Sequence, residues 1–590
     1  MAHESFEDED IAGILNRAFV AIKVDREERP DIDSTYMSVC QALTGGGGWP
    51  MSVFMTPEQK PFYAGTYFPK TARRGMIGFS QLLLAIEEKW RAERPTLLRS
   101  AEQIVEHFQP QAPMESGEAD ESLIDTAAAL FRQSFDSAYG GFGAAPKFPT
   151  PHNLLFLLDA YQRSGDAQML EMAEATLRQM YRGGLFDHIG YGFSRYSTDR
   201  FYLVPHFEKM LYDNALLIMA YAKAYEITKK PLYREVAEKT AEYVLRELTG
   251  PEGEFYCAQD ADSDGVEGKY YLFTPEEVIR VLGTEAGAQF NRLYDITSQG
   301  NFEGKNIPNL LKSKGEENVF TDLSRLRAYR RERTQLHLDD KVLTAWNGLM
   351  IAALARLYRA TGNEANLRAA ERAEEFLTAH LCRGDSVLVS FRNGRQGGPG
   401  FLDDYAFYIF ALLELYGAAM DPHSLEKAKG LAETVIQNFS DESGGGFTLS
   451  GKKNERLIFA PKDTYDGAIP SGNSVMAHNL VRLYALTGED RYGGLAERQL
   501  AALAPAAGQY PAGCCFYLLA LSRWLYPPRH TTAVLKNGAD RELLRGRFGP
   551  DEDLTVLEEP TRAYPLLHDE TTFYVCAGGS CRPPTNELPE

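Results

Sequence analysis

The segment LFDHIGYGFSRYSTDRFYLVPHFEKMLYDNALL, residues 185–217, gathers groups that exchange protons. His188 and His206 can give or take a proton near neutral pH. Asp187, Glu208 and Asp213 add carboxylates, Arg195 a cation, Asn214 an amide and Tyr191 an aromatic face. Aromatic faces stack on the C–H faces of sugar rings, while carboxylates and amides bond to hydroxyls. The mixture therefore suits a ligand pocket. Plainer readings exist: Pro205 and Glu208 also fit the first turn of a helix, and Asp187 with His188 fits a loop hydrogen bond.

Comparable clusters recur along the chain. GGFGAAPKFPTPHN spans 140–153, and YCAQDADSDGVEGKYY (256–271) carries Asp260 and Asp262. HLDDKVLTAWNG (337–348) carries Lys341, Trp346 and Asn347. GPGFLDDYAFY (398–408) carries Asp403, Asp404 and Tyr405, and APKDTYDGAIPSGNS (460–474) carries Ser471 and Asn473. His206, His188, Glu208, Asp404 and Asp403 are the catalytic candidates, and the others named are ligand-binding candidates. Asp339, Asp340, Asp403 and Asp404 also read as helix N-caps. DADSDG opens like a calcium loop, but Tyr271 stands where the twelfth-position Glu belongs, so no EF-hand is expected. No second short-spaced Cys pair accompanies the C-x4-C of Cys576 and Cys581, so no metal site is expected. All seven cysteines read as buried or incidental thiols.

These clusters need elements to hold them, and a repeat supplies those. Residues 154–180, 216–245, 349–377, 407–436 and 475–503 each read as an apolar helix, a short break and a more charged, Ala-rich helix. Repeated hairpins make either an open solenoid or a closed ring. The leftover segments 121–135 and 513–526 can pair as a sixth hairpin and close the ring. The expectation is a mainly α protein, an (α/α)6 toroid over 111–527 with apolar helices inside and charged helices outside. Every cluster falls between an outer helix and the next inner one, so all would meet on one rim. His206, Glu208 and Asp213 are expected at the cavity end of an inner helix, with His188 near; His206 and Asp213 share a face if the helix already includes position 206.

Residues 1–110 mix strands and helices: FVAIKVD (19–25), PMSVFMT (50–56) and KPFYAGTYF (60–68) read as strands, and 79–93 as a helix. The stretch 109–122 reads as a linker. Residues 528–590 read as a small α/β appendage, with strands near 531–536, 554–559 and 571–576. The 590 residues carry a net charge of −20, which argues against nucleic-acid binding and suits small or neutral partners. Apolar runs are too short to span a membrane, and the acidic N-terminus lacks a signal peptide's pattern. A cytoplasmic protein with a sugar-like small-molecule ligand and no cofactor is expected; oligomeric state is not legible.

The motifs MAHESFED, IKVDREERPDID, GGGGWPMSVFMTP, PHFEKMLYDNA, DADSDGVEGKYY, DDKVLTAWNGLMI, FLDDYAF and IPSGNS together resemble the thioredoxin domain-containing proteins that include spermatogenesis-associated protein 20. The resemblance runs over nearly the whole chain. It implies an N-terminal thioredoxin-like domain and a six-hairpin toroid similar to N-acylglucosamine 2-epimerases and six-hairpin glycosidases. Family members carry a Cys-His-Trp-Cys-His type segment just before the first motif. Met1 lies inside that motif, so the resemblance implies that this chain lacks the redox dithiol and the strand before it, and thiol–disulfide turnover is not expected. GGWPMSVF resembles the thioredoxin loop with a cis-proline, so Trp49–Pro50 is expected to be cis. Epimerases of the related fold use paired histidines and glycosidases use paired carboxylates; this chain offers both. Three readings stand: a carbohydrate-active or carbohydrate-binding toroid, a redox protein whose toroid recognises a client, and a non-catalytic scaffold.

Overall fold

A computed structural model describes residues 2–73, 75–108, 116–313, 323–441, 444–549, 552–578 and 580–589. The chain forms two compact units, Met1–Met114 with Phe447–Lys462, and Glu115–Gly446 with Asp463–Glu590. Positions 109–115 of the expected linker lie outside the described residues.

In the first unit a one-turn π-helix at Ala2–Phe6 leads to α1 (Glu9–Ala18), whose N-terminus is capped by Asp8 accepting from the Ile11 amide at 3.2 Å. α2 (Pro30–Thr44) starts on proline and stops at Gly45 in the left-handed region. Ser52–Met55 pairs antiparallel with Pro61–Gly65, and α3 (Phe79–Ala92) and α4 (Arg94–His107) follow. Ile11, Phe68, Phe79, Leu82, Leu83 and Ile86 form the core. Trp49–Pro50 is cis, as the resemblance implies. FVAIKVD is not a strand: it has no ladder partner among the described residues, and Val20 is 90 % and Ile22 79 % exposed. Residues 447–462 leave the helical repeat and join this unit, where Glu455 pairs with Arg29 at 2.8 Å and Phe459 stacks on Phe108 at 4.8 Å.

The second unit is an (α/α)6 toroid. Its first helices are α5 (Glu121–Ser134), α6 (Pro151–Ser164), α7 (Ala167–Arg182), α8 (Leu211–Thr228) and α9 (Pro231–Glu247). An excursion carries α10 (Pro275–Leu282), α11 (Thr284–Leu293) and α12 (Ser324–Arg333). The ring resumes with α13 (Thr344–Thr361), α14 (Glu364–Leu381), α15 (Leu402–Ala419), α16 (Pro422–Phe439), α17 (Gly472–Thr487), α18 (Asp490–Gln509) and α19 (Cys515–Leu525). Helices α6, α8, α13, α15, α17 and α19 pack in sequence, and α19 returns to α6, closing the inner ring. The outer helices α7, α9, α14, α16 and α18 each back the inner helix before them, and α5 backs α19. Burial follows sequence: α8 is buried continuously from Leu211 to Ala224, whereas α9 buries one stripe including Tyr233, Val236, Ala237, Thr240 and Val244. Several inner helices end on a left-handed residue, Gly165, Gly362 and Gly488 among them.

The joints are stitched together on the rim by short ladders. Lys209–Met210, Ala258–Gln259 and Leu338–Asp339 form one small sheet, and Val342–Leu343, Ser390–Arg392 and Arg395–Gln396 another. At the C-terminus His530–Val534 pairs parallel with Asp553–Leu557 and antiparallel with Thr572–Ala577, as the strand pattern predicts. Cys576 and Cys581 face each other across the final hairpin and are joined as a disulfide, which corrects the thiol reading for this pair. No helix among the described residues is long and apolar enough to cross a membrane.

Candidate active site

Helix α8 begins at Leu211, not at His206. Pro205–His206 instead pairs with Tyr196–Ser197, so the backbone around His206 is committed to a ladder. The shared-face argument for His206 and Asp213 is corrected accordingly, yet the ladder itself assembles a cluster. Arg195 donates from Nη1 to Glu208 Oε2 at 2.9 Å, and the Arg195 amide donates to the Glu208 carbonyl at 2.9 Å. His206 Nε2 lies 3.7 Å from Glu208 Oε2, its Nδ1 lies 2.7 Å from Glu267 Oε1, and its ring sits 5.2 Å from that of Tyr196. Asp213, in the first turn of α8, is buried, and its Oδ2 has no hydrogen-bond partner.

The electrostatics separate these groups. Burial opposes the charge on Glu208, but His206 and Arg195 outweigh it and hold its pKa below the usual value. Burial lifts the Asp213 pKa well above the usual range; Arg195 opposes and Glu208 adds to the rise. Glu208 and Glu267 raise that of His206 against its partial burial. The same guanidinium thus acts on two carboxyls whose pKas are displaced in opposite directions. Tyr212 and Trp346, whose rings meet at 4.8 Å, join the first turns of α8 and α13 beside it.

A second acidic group lies at α15. Asp404 Oδ2 accepts from the Phe401 amide at 2.8 Å and Oδ1 from the Ala345 amide at 3.1 Å, so it caps α15 and ties it to α13. Burial raises its pKa to about 8, opposed by the Phe401 amide. Asp403 is pushed to about 7 by burial and by Asp463. Among the described contacts none joins Asp404 to His206, so these two catalytic candidates belong to separate groups of contacts.

Other candidates turn out to hold the rim together. His188 is buried among Tyr181, Phe186 and Tyr294, bonds to the Gly183 carbonyl at 3.1 Å, and has its pKa lowered by burial to about 4; none of its described contacts is with His206. Asp187 accepts two bonds from Arg330, at 3.0 and 2.8 Å, and one from Lys209 at 2.9 Å; these cations hold it ionised against its burial. Tyr191 faces Lys239, Arg246 and Arg327. The amides of Asn214 and Asn347 occupy equivalent places in α8 and α13 and clamp the backbones of Phe193 and Phe255. Tyr405 is bonded to the Val387 amide, Lys341 lies 3.3 Å from Asp339, Ser471 caps α17, and Asn473 binds Gln499 and the Asp463 carbonyl. Asp260 and Asp262 are exposed.

Residues 1–109 match the thioredoxin DsbH family model, described as a protein of unknown function, DUF255. The chain is 38 % identical to spermatogenesis-associated protein 20 of Homo sapiens over 555 residues, covering 83 % of this chain and 70 % of that one. An uncharacterized protein of Caenorhabditis elegans is 33 % identical over 656 aligned positions, covering 100 % of this chain and 89 % of that one. The chain belongs to the spermatogenesis-associated protein 20 family. Among solved structures it is similar to a D-mannose isomerase, at 14 % identity and TM-score 0.47, covering 69 % of this chain and 96 % of that one. A cellobiose 2-epimerase from Bacillus thermoamylovorans B4167 follows at 11 % identity and TM-score 0.43, covering 66 % and 88 %.

In this member of the family, Glu267 is a site residue the sequence reading missed. Asp264 and Gly265 both have positive φ and turn a two-residue hairpin in which Asp262 pairs with Glu267. The Asp-Gly dipeptide is a known signal for such a turn, and it would have placed Glu267 on the returning strand. Asp466, also missed, accepts from the amides of Ser471 and Phe516, and burial lifts its pKa to about 6.

Proposed function

We propose that the toroid is a carbohydrate-active or carbohydrate-binding unit that works on a sugar-like small molecule by acid–base chemistry at the Arg195–Glu208–Asp213 cluster. The observation that carries this reading is the opposite displacement of two neighbouring carboxyl pKas around one guanidinium. Environments that push paired titratable groups apart supply a proton donor and a proton acceptor at the same pH. Asp213 is the donor and Glu208 the acceptor, with His206 steering the proton on Glu208. The carboxylates are favoured over a histidine pair because His188 is locked in an aromatic core, which leaves His206 facing Glu208 and Glu267. Tyr196 stacks on Phe148 at 4.6 Å, and Phe148 is exposed, so an aromatic surface lies next to these hydrogen-bonding groups, the combination a sugar ring needs. A melting-temperature screen against free monosaccharides and disaccharides tests the reading. At least one sugar should raise the melting temperature saturably, and a flat response across the panel would overturn it.

A further inference from the structure

The C-terminal sheet sets an acid, a histidine and two cysteines in one row. Its strands lie in the order Asp553–Leu557, His530–Val534, Thr572–Ala577 and Ser580–Cys581. His530 is the ladder partner of Asp553 on one side and of Cys576 on the other, and Cys576 is the partner of Cys581. Side chains of directly paired residues share a face, with Cβ atoms roughly 4.5–5.5 Å apart in an antiparallel pair. Asp553, His530, Cys576 and Cys581 therefore stand side by side. The opposite face, carrying Ala533, Leu554, Val556 and Phe573, packs into an apolar core.

Hydrogen bonds along the row assign a tautomer to His530. Thr555 follows Asp553 on the same face, and its hydroxyl donates to the Leu486 carbonyl at 2.9 Å. That uses its one O–H. The 2.9 Å bond between His530 Nε2 and Thr555 Oγ1 then runs from the ring N–H to the hydroxyl oxygen. Nδ1 keeps the lone pair, on a ring flanked by Cys576 on the next strand. Burial holds the His530 pKa below its usual value; Asp553, itself paired with Arg482 and Arg523, opposes that, and Arg523 adds to it.

The Cys576–Cys581 disulfide constrains little that the sheet does not already fix. It joins residues paired in the ladder, at a sequence separation of 5, and short loops gain least from a cross-link. Cys581 is exposed on the edge strand and Cys576 is partly so. Exposed disulfides are the labile ones, open to attack by thiolates.

We propose that Cys576 and Cys581 form a thiol–disulfide exchange site for small thiols, with His530 as the base that ionises Cys576. An external thiolate bonds to Cys581 Sγ, the S–S bond breaks, and its electron pair leaves on Cys576 Sγ. A second external thiolate removes the first from Cys581 as a small-molecule disulfide. Two small thiols are thus oxidised for each protein disulfide reduced, and their protons end on the two cysteines. In the closing direction His530 Nδ1 takes the Cys576 proton. The thiolate attacks the mixed disulfide at Cys581 and expels the small thiol, which receives that proton. The site stands apart from the rim cluster, and neither assignment needs the other.

Equilibration of the full chain in mixtures of reduced and oxidised glutathione tests the proposal, read by differential alkylation and mass spectrometry of the peptide carrying both cysteines. The pair should pass from disulfide to dithiol within the glutathione range, which a structural disulfide resists. His530→Gln should slow closure of the glutathione-mixed disulfide by about tenfold or more, with the melting temperature unchanged. A histidine that only packs the sheet would instead lower the melting temperature and leave the closure rate intact. Should His530→Gln fail to fold, Thr555→Val, which removes the bond fixing the tautomer, should still slow closure. A pair that stays closed in reduced glutathione, or closure at the wild-type rate in the folded variants, would overturn the proposal.

Discussion

Arg195 donates to Glu208 across 2.9 Å, and Asp213, buried in the first turn of α8, lies in the field of both. Two segments far apart in local structure make this relationship: a two-residue ladder that turns Glu208 back onto Arg195, and a helix start that buries Asp213. His206 and the guanidinium together lower the Glu208 pKa against its burial, whereas at Asp213 burial outweighs the guanidinium.

The buried acids of the rim should make the protein less stable in mild alkali. Asp403 and Asp404, near pKa 7 and 8 in the fold, ionise near 4 when unfolded. A folded pKa above the unfolded one stabilises at low pH, and that stability is lost as pH rises through the folded value. Asp213 and His206 are displaced in the same direction. His152 and His188, held near 4, act oppositely, but only below about pH 6.5. The melting temperature should therefore fall between about pH 6.5 and 8, and Asp404→Asn should make the decline shallower. A flat or rising profile over that window would show these carboxyls to be ionised in the fold.

Arg330→Met should be strongly destabilising. It strips Asp187 of two hydrogen bonds in a buried cluster, leaving Lys209 as its one ion-pair partner there. Removing one member of a buried ion pair costs about 3–5 kcal/mol, readable as a shift in the urea midpoint at unchanged slope.

Asn347→Ala should cost about 1–3 kcal/mol by freeing the Phe255 amide and carbonyl that its side chain satisfies at 2.9 Å each. Asn214→Ala, at the equivalent place in α8, should behave alike. Urea unfolding checks both, and loss of a sugar-induced melting shift without loss of stability would return these amides to the ligand site.

The N-terminal unit should not reduce insulin disulfides catalytically. Exchange needs an accessible thiolate and a resolving thiol. Cys40, the one cysteine between residues 1 and 114, is fully buried, with its sulfur against the Gly46 carbonyl. Dithiothreitol-coupled turnover that disappears in Cys40→Ser would contradict this.

The ring was legible because its signal is local and periodic: α8 is apolar all round, α9 on one stripe, and the unpaired segments at 121–135 and 513–526 could close the circle only on each other. The site was only half legible. Whether His206 starts a helix depends on Tyr196, its ladder partner, and whether His188 is reactive depends on Tyr294, over a hundred residues later. Asn214 and Asn347 looked like ligand amides because nothing local reveals that Phe193 and Phe255 are their targets. Residues 19–25 read as a strand for the same reason: β-propensity without a partner leaves an exposed irregular segment. The rim motifs were correctly located as joints; which side chains face outward was set by contacts between joints.

The most direct measurement is steady-state turnover of the sugar that most raises the wild-type melting temperature, compared between the wild type and Glu208→Gln. Glu208 is about a quarter exposed and its ion pair with Arg195 is worth at most about 1 kcal/mol, so the variant should fold with nearly the wild-type melting temperature. Loss of an acid–base group should lower kcat by about 10²–10⁴-fold, with KM changed little. Wild-type turnover in a folded Glu208→Gln protein would contradict the assignment of acid–base chemistry to the Arg195–Glu208–Asp213 cluster.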